Sequence, residues 1–179
     1  MALFREQADV SVRPAVAEDD AAIARVQLEA WRAHHALVLG PEVLDQLDTA
    51  AVRAQWTRAI TQPPSSAHHV LVACDGAEVV GFASSAPAES GVEVLALEVL
   101  PGRQRGGHGS RLLTACVDLA REHGAVHLQT WVLDEDEARE LFLGSAGLGA
   151  DGAQRSLGIS AGPDGLTRTV QEHRWVAEI

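Results

Sequence analysis

At 179 residues the chain is long enough for one well-buried domain, expected to span 1–179, and no apolar run approaches the roughly 20 residues that cross a bilayer. The formal net charge of −11 argues against a nucleic-acid partner, which needs a basic face, and suits a cationic ligand or plain solubility. The opening MALFREQADV has no basic segment followed by an apolar one, so neither a signal peptide nor a membrane association is expected, and the reading is a cytoplasmic protein.

Val10 to Arg13 reads as a first strand ending at Pro14. Asp19-Asp20 then offers capping carboxylates ahead of Ile23, Val26, Gln27, Ala30 and Trp31, a stripe at helical spacing that Gly40-Pro41 interrupts. Val43, Leu44 and Leu47, then Val52, Trp56 and Ile60, mark a second helical region, closed by the loop Thr61 to Ser66. Val70 to Ala73 and Val79 to Ser84 flank Asp75-Gly76, a hairpin signal. Val92 to Leu100 is a third strand of this group, stopped by Pro101.

From Ser110 to Glu122 the residues Leu112, Leu113, Cys116, Leu119 and Ala120 recur at helical spacing, with Gly124 closing the helix. A strand over Val126 to Val132, a helix over Glu135 to Ser145 and two strands around the turn Gly162-Pro163-Asp164-Gly165 complete the chain. The order predicts a mixed, mostly antiparallel α/β sheet with flanking helices and one parallel strand–helix–strand crossover between Val92 and Val132. Cys74 and Cys116 lie in apolar surroundings and read as buried reduced thiols; neither they nor the histidines show metal-ligand spacing, and no metal is expected.

The segment richest in chemical information is Gln104-Arg105-Gly106-Gly107-His108-Gly109, which sits where a strand hands over to a helix. Glycines at 106, 107 and 109 permit backbone conformations that a Cβ forbids and let a ligand approach the main chain closely. The free N–H groups of a helix start follow directly, a preformed site for phosphate oxygens. Arg103, Arg105 and Arg111 add positive charge to an otherwise acidic chain. A P-loop needs Gly-Lys before Ser or Thr, and the sequence contains no lysine. A dinucleotide fingerprint needs a third glycine where Leu112 stands. Neither pattern fits.

The full pattern, Val99-Leu100-Pro101 followed by Gln104, Gly107 and Gly109 and an apolar helix, resembles the acetyl-CoA-binding motif of the GNAT (Gcn5-related N-acetyltransferase) superfamily. Downstream, Asp136, Phe142-Leu143 and Gly147-Leu148 stand where that family carries an Asn, an apolar–aromatic pair and Gly-Phe. The resemblance implies a GNAT-like fold and acetyl-CoA as co-substrate, with a small-molecule or peptide amine as acceptor, in a monomer or homodimer.

It also implies residue roles. The main chain of Leu97, Glu98 and Val99 would pair with the pantetheine amides as an added strand does. The backbone of Gln104, Arg105, Gly106, Gly107, His108, Gly109 and Ser110 would hold the pyrophosphate, with Arg105 the direct side-chain contact. Asp136, Phe142 and Leu143 would complete the cofactor site near the thioester. Glu93 is the candidate base, acting through water; its alternative is a solvent-facing strand residue. Glu98, an odd number of positions away, points to the opposite face of a regular strand. Trp31 and His34 are the candidate acceptor-site residues, with core packing as the other explanation of Trp31; His34 or His35 could serve as a second base, with an ordinary surface or core histidine as the other explanation. The family's usual acid, a Tyr, falls on Leu143, and the sequence contains no Tyr. That departure leaves open an acyl-CoA-binding module with weak or no catalysis.

Overall fold

In a computed structural model that describes residues 10–161 and 166–179, seven strands form one sheet. They are β1 (Val10–Pro14), β2 (His69–Asp75), β3 (Glu78–Ala88), β4 (Gly91–Val99), β5 (His127–Leu133), β6 (Gly149–Ala161) and β7 (Leu166–Glu178), in the spatial order β1-β2-β3-β4-β5-β7-β6. The helices are α1 (Asp20–His34), α2 (Ala36–Leu39), α3 (Pro41–Asp45), α4 (Thr49–Thr61), α5 (His108–Glu122) and α6 (Glu137–Ser145). The expected mixed, mostly antiparallel sheet is present, and β4–β5 is its parallel pair. The turn expected at 162–165 lies outside the described residues.

Strand alternation splits the core into two layers. On β2, Leu71 and Ala73 face a cluster built on α5, with Leu112, Leu113, Cys116 and Ala120. Val72 and Cys74 face the other way, against Ile23, Ala24 and Val26 of α1, Trp56 of α4 and Phe82 of β3. Trp56 meets Phe82 edge-on at 4.9 Å and donates its indole N–H to Gln27 Oε1 at 2.6 Å, so its polar tip is satisfied inside the core. The sheet is thus covered by helices on both faces.

Both cysteines are free and buried. Burial pushes the Cys116 thiol up to about 12, against a smaller opposite pull from its Ser85 contact. The thiolate is the nucleophile, so Cys116 should resist a disulfide-exchange reagent at mildly alkaline pH in the folded protein and react once denaturant opens the core. Fast modification of Cys116 in the native state would contradict this packing.

Where β4 should alternate regularly, it does not. Ser84 pairs with Ala96 and Ser85 with Val94, so Leu95 is an extra residue, a β-bulge. Val92 and Val94 before it, and Leu97 and Val99 after it, all join the α5-side core. The bulge therefore resets the alternation and brings Glu98 to the same face as Glu93. This corrects the opposite-face expectation, which assumed an unbroken strand.

Candidate active site

The bulge coincides with a fork in the sheet. β4 and β5 pair only from Val92↔Leu128 to Val94↔Thr130, and the Thr130 hydroxyl donates to Val94 O at 2.9 Å at the point of parting. Beyond it the free edge of β4 carries the Leu97 carbonyl, which accepts from Arg139 Nη1 at 2.6 Å. A strand edge whose carbonyl is held by a side chain rather than by a neighbouring strand can take a ligand's amide as an extra strand would.

The loop that follows β4 is largely exposed from Pro101 to Gly106. Gly107 adopts φ 77° as the cap of α5, so the helix begins at His108, two residues before the Ser110 start read from the sequence. Arg105 is also left-handed, with φ 63°, a conformation that costs about 1–3 kcal/mol in a non-glycine residue. The three loop arginines are not equivalent. Arg103 pairs with Asp75 at 2.6 Å and Glu78 at 2.8 Å. Arg111 turns back to donate to Gly106 O at 3.0 Å. The Arg105 guanidinium has no hydrogen bond or ion pair among the described residues, and it is the arginine the sequence singles out for phosphate.

His108 is buried with Nδ1 unpartnered, and Ser110 is exposed on the first turn of α5. Phe142 packs its ring at 3.5 Å from the position a Cβ on Gly109 would take. Leu143 lies in the α5-side core and is 3 % exposed. Neither lines the cavity described next.

A cavity of about 390 Å³ fills the fork. Trp31, Leu39, Val43, Leu44 and Leu47 form its helical wall, and Leu95 to Glu98 and Thr130 to Leu133 form its strand walls. Its titratable groups are His35, Glu98, Asp136, Arg139 and Glu172. Arg139 Nη2 pairs with Glu98 at 3.0 Å, and Arg155 Nε with Glu172 at 2.5 Å. Asp136 caps α6, accepting from Arg139 N at 3.0 Å.

Trp31 lines the cavity and also packs on the cluster of Leu39, Leu44 and Val170, whereas His34 does not line it: its Nε2 meets Gln104 Nε2 at 2.8 Å, tying the end of α1 to the glycine loop. His35 lines the cavity instead, one turn beyond Trp31 on the same helical face. That i, i+4 spacing is visible in the sequence; Arg139, Glu172 and the contribution of α2 and α3 are not. Glu93 accepts from Gln129 Nε2 at 2.7 Å and stands outside the cavity wall, on the paired side of the fork.

Among the described residues no cluster of three or more His, Cys, Asp or Glu side chains could hold a metal, and no helix is long and apolar enough to cross a membrane.

The Acetyltransferase (GNAT) family model matches residues 22–145, which include the fork, the glycine loop and α5. The chain is 30% identical over 133 residues to YuaI of Bacillus subtilis (strain 168), an uncharacterized N-acetyltransferase, covering 71% of this chain and 73% of that protein. In fold it is similar to PaiA N-acetyltransferase from Thermoplasma acidophilum in complex with coenzyme A, with a TM-score of 0.74 at 14% identity over 95% of this chain and 99% of that one. It is similar also to YncA from Salmonella typhimurium with its cofactor acetyl-CoA, with a TM-score of 0.63 at 20% identity over 95% and 94% of the two chains. The fork in the sheet, the glycine loop at the head of α5 and the matched family thus agree: the chain belongs to the GNAT acetyltransferase family and is an N-acetyltransferase.

Proposed function

We propose that this protein transfers an acetyl group from acetyl-CoA to a primary amine by direct attack of the amine on the thioester. The observation that carries the reading is the open edge of β4 at Leu97, continuous at one end with the glycine loop and at its side with the cavity. Pantetheine amides would take the edge at Leu97 to Val99, displacing Arg139 Nη1 from the Leu97 carbonyl. The loop from Gln104 to Ser110 would then meet the pyrophosphate with main-chain N–H groups and the uncommitted Arg105.

The acceptor would enter the cavity from the side of Trp31, its amine directed at the thioester and its body against the leucines of α2 and α3. This mostly apolar wall, with carboxylates at Glu98, Asp136 and Glu172, favours an amine carried on an apolar body. In the reaction a C–N bond forms, the C–S bond breaks, and the thiolate leaves. A thiol with a pKa near 8.5 is a tolerable leaving group without a dedicated acid.

The alternative, an acyl-CoA-binding module without efficient turnover, draws on Leu143. The residue standing at the family's Tyr position is apolar and sealed in the core, so it supplies no proton.

Both readings require the cofactor. At about 100 times its Kd, acetyl-CoA should stabilise the fold by about 2.7 kcal/mol, raising Tm by about 5–11 °C for a chain of this size. An unchanged melting curve at saturating acetyl-CoA would remove both.

A further inference from the structure

Resting on the acetyl-transfer reading, we propose that His35 is the base of this site, its Nε2 taking a proton from the acceptor amine, and that Asp136 is the positioning residue that turns Nδ1–H toward its own carboxylate. Elimination along the cavity wall leads there. Glu98 is committed to Arg139, and Glu172 to Arg155. Glu93 lies outside the wall and is bonded by Gln129. His35 alone among the titratable wall groups has no partner within hydrogen-bond distance among the described residues, although it is only 5 % exposed.

The geometry divides the two ring nitrogens. Nδ1 is sealed from solvent and lies 4.0 Å from Asp136 Oδ2. With Nδ1 sealed, proton acceptance falls to Nε2, the other ring nitrogen of a residue that lines the cavity. Asp136 is itself fixed: Oδ1 caps α6 through Arg139 N, while Oδ2 faces His35 with Arg139 Nε at 3.7 Å on its other side. A 4.0 Å separation is longer than a hydrogen bond, and such contacts commonly close only when substrate is bound. The proposal also gives a purpose to the acidic residue found where the family motif carries an Asn: an amide in that place could not stabilise an imidazolium by charge.

Protonation suits the role. Burial holds the His35 imidazole below its ordinary value, opposed by the negative charges of Glu98 and Asp136 and assisted by the positive charges of Arg139 and His34. Glu172 on β7 completes the charged groups facing the cavity. The ring is therefore neutral at neutral pH and free to accept. An ammonium must shed two protons on the way to an amide. The first goes to His35 Nε2, which frees the lone pair that then attacks the carbonyl carbon, and the second leaves the nitrogen of the tetrahedral adduct as the C–S bond breaks. The thiolate takes one proton back and the other leaves to solvent.

The test compares wild type, His35→Gln, Asp136→Asn and Glu93→Gln. Its readouts are kcat and kcat/KM against pH with a panel of primary amines, and Tm with and without acetyl-CoA. His35→Gln should keep the acetyl-CoA shift and lose about 10²–10⁴ in kcat at neutral pH, with the neutral-pH plateau replaced by a rise that follows the free-amine fraction. Asp136→Asn preserves the helix cap, since Asn caps as well as Asp. It should keep the shift, lower kcat and move the acid limb to lower pH, because the charge that raises His35 is gone. An unaltered profile in His35→Gln beside a collapse in Glu93→Gln would overturn the proposal.

If wild type forms no amide with any amine of the panel, the transfer reading fails, and ¹⁵N NMR of the wild-type histidines decides the rest. A neutral His35 protonated on Nδ1, and dependent on Asp136, keeps the dyad. An imidazolium at neutral pH, or a proton on Nε2, overturns it.

Discussion

Replacing Gly107 by valine should abolish the stabilisation of this protein by acetyl-CoA. Gly107 holds φ 77°, and a Cβ there would lie 2.7 Å from Arg111 Nη1. The guanidinium is the far end of a flexible chain and can move. The backbone conformation cannot be escaped so easily: a left-handed residue with a side chain costs about 1–2 kcal/mol. The expected drop in Tm without ligand is thus modest, about 2–8 °C. The larger effect is functional, because a branched side chain would stand where phosphate oxygens must approach the N–H groups at the start of α5. Melting curves with and without acetyl-CoA read both effects. Gly102→Ala is the control: its φ is ordinary and a Cβ there meets nothing within 4 Å, so its acetyl-CoA shift should match wild type. A full shift in Gly107→Val would place the pyrophosphate elsewhere.

Gly91→Val should be the most damaging single substitution to the scaffold of the site. Gly91 opens β4 at φ 151°, and a Cβ there would lie 2.1 Å from the His127 carbonyl oxygen and 2.9 Å from its carbon. These are backbone atoms of β5, so no side-chain rotation relieves the clash; the two strands must separate. They are hydrogen-bonded to each other only over the short stretch from Val92 to Val94, just beyond Gly91. A cost of about 3 kcal/mol or more follows from strain and lost pairing together, a fall in Tm of about 6–12 °C. The fork depends on that pair, so acetyl-CoA should also protect the variant less than wild type. A change of only a degree or two would mean that the strands do not approach as closely as described.

The parts of the fold legible in the sequence are those written locally. Pro101, the glycines at 106, 107 and 109 and the apolar stripe of α5 place a phosphate-type loop between a strand and a helix without reference to the rest of the chain. The strand over β2 and the place of Trp56 on an apolar helical stripe also follow from short-range spacing.

What could not be read depends on partners distant in sequence. The bulge at Leu95 exists only in the register between β3 and β4, and Val92 to Leu100 is so nearly continuous in apolar residues that no broken alternation announces it. Its consequence, Glu98 on the cavity face, was therefore invisible. The choice between His34 and His35 turns on how α1 ends: His35 is its C-cap, and the short helices α2 and α3 fold back beside it, where Gly40-Pro41 suggests only an interruption. Asp136 is a third case. The sequence starts a helix at Glu135, but the helix begins at Glu137 with Asp136 as its cap, and that shift aims the carboxylate at His35.

Amine-dependent thiol release is the measurement that separates an acetyltransferase from a binding module. With acetyl-CoA and a panel of primary amines on apolar, polar and peptide bodies, free CoA thiol and acetylated amine would be quantified together by thiol titration and mass spectrometry. One amide should form per thiol released, with the fastest turnover on amines carrying apolar bodies and the signal lost when the amine is omitted. Stabilisation by acetyl-CoA with no amide from any amine would contradict acetyl transfer and leave a binding module in its place.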